Sequence, residues 1–172
     1  MRLSPTLFAA AVAVAGCTAM GPGPLKAGAV LEARSGSSVT GKVDLVESGG
    51  KLRAHVELAG LAPSSEHGFH VHDKGDCSAP DASSAGGHFN PGGTAHGRAG
   101  TPPHHAGDLP SLMADAKGNV RVDLTLEGVT LAAGPNSIVG RALVVHRDKD
   151  DFTSQPAGNS GPRVACGVIA AR

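Results

Sequence analysis

The stretch VTGKVDLVESGGKLRAHVEL, residues 39–58, decides the fold class. Val39, Val43 and Leu45 share one side of a period-two repeat, with Gly41 between them. After the turn signal Ser48-Gly49-Gly50, Leu52, Ala54, Val56 and Leu58 take up the same repeat. Successive side chains of an extended chain point to opposite faces, so the pattern describes two half-buried strands joined by a tight turn. No helical period competes with it. The chain has 25 Gly and 12 Pro, which supply turns and extended connections rather than helix. Aromatic residues make up 2% with no Trp or Tyr, so the core must be built from Val, Leu, Ile and Ala.

Working outward, similar short segments are expected at 30–34, 68–73, 112–116, 120–126, 141–146 and 164–170. Lys117-Gly118-Asn119 forms a hairpin turn between two of them. The reading is all-β: an eight-stranded antiparallel Greek-key β-sandwich or flattened barrel with two long functional loops. One domain is expected over residues 28–172.

Residues 1–16 read as a targeting segment. Arg2 supplies a minimal positive start, and the apolar run from Leu7 to Ala15 is too short for a stable membrane span. The run ends in Val14-Ala15-Gly16-Cys17, which resembles a bacterial lipobox, cut before Cys17 with lipid placed on that thiol. Residues 17–27 then read as a flexible tether. Lipidation would leave Cys77 and Cys166, and an even pair in an exported protein is most simply a disulfide. The expected location is the cell envelope or periplasm, with a membrane contact through Cys17. Formal net charge is +0, so general electrostatic attraction to nucleic acid or to an acidic surface has no support.

Chemistry concentrates in HGFHVHDKGDCSAPDASSAGGHFNPGGTAHGRAGTPPHHAGD, residues 67–108, with seven of the nine histidines. A packed core rejects so many imidazoles unless they are partnered, and imidazole is the commonest metal ligand among side chains. His70 and His72 lie at i and i+2 of a strand, so they share a face about 7 Å apart and can reach one ion. Residues 78–111 show no regular period, and a loop that long needs a reason such as metal binding. His88, His96, His105 and Asp108 form a candidate N₃O set suited to tetrahedral zinc, with His104 competing for the place of His105. His146 emerges at the end of an apolar strand. His55 and His67 read as structural or satisfied histidines rather than ligands.

With those residues laid out, the chain resembles the copper,zinc superoxide dismutase family. The resemblance rests on HGFHVH (67–72), GGHFNP (86–91), HAGDLP (105–110), GRALVVH (140–146) and GPRVACGVI (161–169), in the family's order. It covers the chain from Gly28 to the end. It implies an oxidoreductase with copper and zinc as cofactors and superoxide as substrate. Copper would be held by His70, His72, His88 and His146, and zinc by His88, His96, His105 and Asp108. His88 would bridge the two ions, and the HAGDLP motif selects His105 over His104. On reduction of the copper the bridging His88 would be released and take up a proton for the departing peroxide. Arg163 would line the substrate channel beside the catalytic His88. Asp150 would link a copper-ligand histidine to a zinc-ligand histidine, and Cys77 would pair with Cys166.

Two divalent ions set against one imidazolate and one carboxylate leave the site at roughly +2, which draws in a small anion despite the neutral chain. Asp148 stands where animal members carry a channel lysine, and the second loop is short. Lys74 is therefore the candidate for anion steering. Family members pair through different surfaces or stay monomeric, which leaves a homodimer open. A non-catalytic copper- and zinc-binding envelope lipoprotein is the competing reading, against which the presence of Arg163 counts.

Overall fold

Ten strands and a single short 3₁₀ turn make up the regular structure of the computed structural model, which describes residues 23–172. The expected targeting segment, Cys17 and the first part of the expected tether lie outside the described residues. The strands are β1 (Leu25–Ala33), β2 (Thr40–Ser48), β3 (Lys51–Ala59), β4 (Glu66–His67), β5 (Phe69–His72), β6 (Leu112–Met113), β7 (Val120–Leu126), β8 (Ala142–His146), β9 (Arg163–Val168) and β10 (Ala170–Ala171). Eight of them form one curled antiparallel sheet in the order β5-β8-β9-β1-β2-β3-β7, with β10 alongside β1, while β4 and β6 pair separately.

The alternation read in residues 39–58 is the burial pattern of the sheet. In β3, Leu52, Ala54, Val56 and Leu58 are buried, while Arg53, His55 and Glu57 face outward. Across the register, Val43 sits opposite Val56 and Leu45 opposite Ala54, so both strands send their apolar side to the same interior. The filling is aliphatic apart from Phe69 and Phe89. Gly41 is required by close approach: a Cβ there would strike the Glu57 carbonyl oxygen of the neighbouring strand.

Several boundaries differ from the sequence reading; the segment expected at 164–170, for one, divides at Ile169 into β9 and β10, and β10 pairs with β1. The first strand begins at Leu25, inside the stretch assigned to the tether, because Leu25 pairs with Glu47 and Lys26 with Val46. Its first buried positions are Ala27 and Ala29, too small to register in an apolar pattern. The segment expected at 68–73 is a strand only over Phe69–His72: Gly68 lies before it, with its N–H donating to the carbonyl of Asp148, and Glu66–His67 form a separate short strand. The strand expected at 112–116 is paired only over Leu112–Met113.

The long loop is less free than its sequence suggests. β5 is an edge of the sheet, and residues 87–109 are laced onto it. Phe89 N–H donates to Val71 O at 2.8 Å, Val71 N–H to Gly107 O at 2.9 Å, and Gly107 N–H to Phe89 O at 2.8 Å. Bridges join His72 to His88 and His70 to Asp108. An unpaired strand edge is thereby covered, and residues far apart in sequence are brought beside the two strand histidines.

Candidate metal centre

Two groups of potential ligands share one histidine. His70, His72, His88 and His146 form the first, and His88, His96, His105 and Asp108 the second. In each group the ligating atoms lie within 4.8 Å of one another. His70 and His72 come from β5, and His146 from the end of β8, where the β8–β9 register shifts between Val145 and His146. The rest come from the laced loop.

Hydrogen bonding decides which nitrogen of each ring is available, because a carbonyl oxygen can only accept. His72 donates from Nδ1 to Gly86 O at 2.9 Å, and His146 from Nδ1 to Gly161 O at 3.1 Å. Their Nε2 lone pairs then face each other 3.4 Å apart. Asp150, buried, accepts Nε2–H of His70 at 2.8 Å on one oxygen and Nε2–H of His96 at 2.9 Å on the other. This turns Nδ1 of both rings inward. Such outer partners fix the tautomer and aim of a ligating ring.

Asp108 is divided in the same way. Its Oδ2 accepts the backbone N–H of His105 at 2.7 Å and of Gly97 at 3.1 Å. Its Oδ1 faces Nδ1 of His88, His96 and His105 at 2.8, 3.1 and 3.3 Å. With its proton on Nε2, His96 turns an acceptor toward another acceptor at Oδ1. A cation at that focus satisfies both. In the first group, His70 Nδ1 and His88 Nε2 are buried with no hydrogen-bond partner. Buried polar atoms left without partners cost roughly 1–3 kcal/mol each. The residues present therefore fit metal ions: four imidazole nitrogens suit copper, and three imidazoles with one carboxylate oxygen suit tetrahedral zinc.

Electrostatics agree with ligand duty. Burial, then the neighbouring His88 ring, holds His70 and His72 well below the usual imidazole range. Burial brings His146 down to about 4, against the opposing hydrogen bond to Gly161. Burial also lowers His105, with Asp108 opposing. These four rings are thus neutral near pH 7, the form that binds metal. For Asp108, burial pushes upward, but the contact with His88 and the N–H groups of His105 and Gly97 outweigh it and hold the carboxyl below its usual range.

A cleft of about 320 Å³ opens over the first group, with His72, His88 and His146 on its floor and Arg163, Pro156 and Ala157 on its walls. Arg163 donates from Nη1 to Ala82 O and from Nη2 to Gly86 O, each at 2.6 Å. The Gly86 carbonyl thus serves both the His72 ring and the guanidinium. Its loop is tied down by the Cys77–Cys166 disulfide, with Cα atoms 5.8 Å apart, and by Arg34 Nε donating to Cys77 O at 2.9 Å. The bridge spans 89 residues, so Cys77→Ser is expected to cost about 2–5 kcal/mol in urea unfolding. An unchanged unfolding midpoint would contradict that.

A sequence profile of the copper/zinc superoxide dismutase family matches residues 39–169. The chain belongs to that family. It is 46% identical over 135 residues to Superoxide dismutase [Cu-Zn] 2 of Aquifex aeolicus, covering 76% of this chain and 79% of the relative. It is 38% identical over 141 residues to the superoxide dismutase-like protein YojM of Bacillus subtilis, covering 79% and 71%. Among solved structures, a double mutant of a SOD-like protein from Bacillus subtilis superposes with a TM-score of 0.76 at 39% identity, covering 83% of this chain and 96% of that one. Copper/zinc superoxide dismutases are oxidoreductases that use copper and zinc, and this chain carries the family's enzyme class and cofactors.

The structure of this superoxide dismutase family member brings together every ligand residue named from sequence. His104 stays outside both groups: its Nδ1 donates to His105 O at 2.7 Å. His67 is buried between Ser65 Oγ and the carbonyl of His146, and His55 pairs with Asp123 on an outer face. Lys74 is exposed beside Gly86, the residue whose carbonyl serves His72 and Arg163. Sequence reasoning missed the Gly86 carbonyl, Arg34 and Gly158. Gly158 has φ +64°, and a Cβ there would meet the Asp150 carboxylate and lie 2.6 Å from His96 Nε2. Its only sequence signal is membership in a Gly-rich loop.

Proposed function

We propose that this chain dismutates superoxide to oxygen and hydrogen peroxide in the cell envelope, with copper at His70, His72, His88 and His146 and zinc at His88, His96, His105 and Asp108. The observation that carries the reading is His88 standing in both ligand groups beneath an arginine-walled cleft. Copper bound there supplies the one-electron redox change, and zinc supplies fixed charge and shape. The residues do the rest. Arg163, anchored on two carbonyls, keeps a cation at the mouth and draws a small anion toward the floor. His88 Nε2 faces the copper group and, when free of metal, is the atom that holds a proton for the departing peroxide. Asp150 keeps the His70 and His96 rings aimed while this happens.

The proposal includes a cleaved segment 1–16 and a lipid on Cys17. The path of β1 sets where such a tether would join the domain. Ala33 pairs beside Ala165 near the cleft, whereas Leu25 lies eight residues back along the strand, roughly 25 Å away. A tether joined at Leu25 would attach at the end of β1 remote from Ala33. The test is superoxide decay by pulse radiolysis on a soluble form starting after Cys17, reconstituted with copper and zinc. Catalytic decay far beyond the metal equivalents supports the enzyme. Stoichiometric metal uptake without catalytic decay would replace this reading with a non-catalytic metal-binding lipoprotein.

A further inference from the structure

Of the ligands, His96 has the least support from its own part of the chain. Residues 94–97 join no strand, and among the described residues no backbone–backbone hydrogen bond reaches the His96 N–H or C=O. Yet His96 is 3% exposed, so both groups need partners within the protein. One side chain supplies them. Gln155 Oε1 accepts the His96 N–H at 2.9 Å, and Gln155 Nε2 donates to the His96 carbonyl at 3.0 Å. The amide orientation follows without ambiguity, since a backbone N–H only donates and a carbonyl only accepts.

Gln155 therefore does for His96 what a neighbouring strand does for His70 and His72. It reaches across 59 residues to do so. The two attachments of His96 to the second loop are complementary: Asp150 sets the tilt of the ring through Nε2, and Gln155 sets the position of the backbone that carries it. A nearby contact of Arg98 over the Phe152 ring, 3.8 Å from its centroid, joins the same two loops without touching His96. Among the described residues, only Gln155 bonds the His96 N–H and C=O.

We propose that Gln155 is a positioning residue for the group His88, His96, His105 and Asp108, holding the His96 backbone so that Nδ1 meets the ion. The inference rests on the ligand assignment proposed above. Its test needs no superoxide. Zinc affinity is measured by competition with a chromophoric chelator, together with hydrogen exchange at the His96 amide, in the wild type, Gln155→Ala, Gln155→Glu and Asp108→Ala.

Gln155→Ala is expected to weaken zinc about 10–100-fold, the range seen when an outer partner of a ligand is lost. It should also speed exchange at His96. Because Gln155→Ala strips the partners from two buried backbone groups, the metal-free protein should also lose some stability, so zinc affinity is compared at a temperature where every variant is folded. Gln155→Glu keeps the acceptor for the N–H but loses the donor to the carbonyl, so its zinc affinity should fall between the two. Unchanged affinity in Gln155→Ala, with Asp108→Ala clearly weakened, would overturn the role of Gln155 alone. Zinc uptake that Asp108→Ala leaves intact would overturn the ligand assignment itself, and Gln155 would have nothing to position.

Discussion

His146→Ala is expected to abolish catalytic superoxide decay while leaving zinc uptake close to that of the wild type. His146 belongs to the first ligand group only, whereas His88 is shared. Its place depends on the irregular end of β8: the register shift after Val145 turns the ring so that Nδ1 meets Gly161 O and Nε2 points at His72 Nε2. Alanine removes one of four nitrogens and leaves His72 Nε2 facing empty space. The loss of turnover should exceed the roughly 10–100-fold that removal of an outer partner costs, because a direct ligand is gone. Metal analysis and pulse radiolysis on the same reconstituted sample check both halves. Equal loss of zinc and copper would mean that the two groups are not separable, and the assignment of His146 to copper alone would fall. His88→Ala gives the contrast, with both metals weakened.

That contrast shows what a sequence can and cannot convey here. The strands at 39–58 were legible because burial alternates residue by residue, and the same logic placed His70 and His72 together. Their ring centroids lie 6.4 Å apart. The ligand residues in the irregular loop were legible only as residue types and motifs. Which nitrogen each ring presents depends on carbonyls such as Gly86 and Gly161, and every residue type has a carbonyl. Gln155 and Arg34 were invisible for a related reason. Each acts on backbone atoms of a segment distant in sequence, through loops with no period to announce the meeting. The start of β1 was hidden differently, since its inward positions Ala27 and Ala29 carry little apolar signal.

The metal-free protein is expected to lose stability steeply as pH falls from about 6.5 toward 4. In the folded chain, burial holds His146 down to about 4 and lowers His70, His72 and His105 below the usual imidazole range. In the unfolded chain the same rings titrate near 6.5. Between those limits the unfolded state binds more protons, so stability rises with pH and is lost on acidification. His146 alone would account for about 3 kcal/mol across the window. Asp108 does not offset this. Its folded carboxyl lies below the usual range, so its contribution is present above the ordinary carboxylate value and is lost only at still lower pH. Thermal unfolding of the metal-free protein at about pH 7, 6, 5 and 4 checks the slope, and 3 kcal/mol corresponds to roughly 6–12 °C in Tm for a chain of this size. A flat Tm across that series would mean that the rings are not held neutral by the fold. The same cause has a second consequence: rings already neutral at pH 6 have few protons to give up. Metal uptake at that pH should release far less than one proton per ring for these four histidines. Proton release near one per ring would show that metal binding, rather than burial, sets their charge.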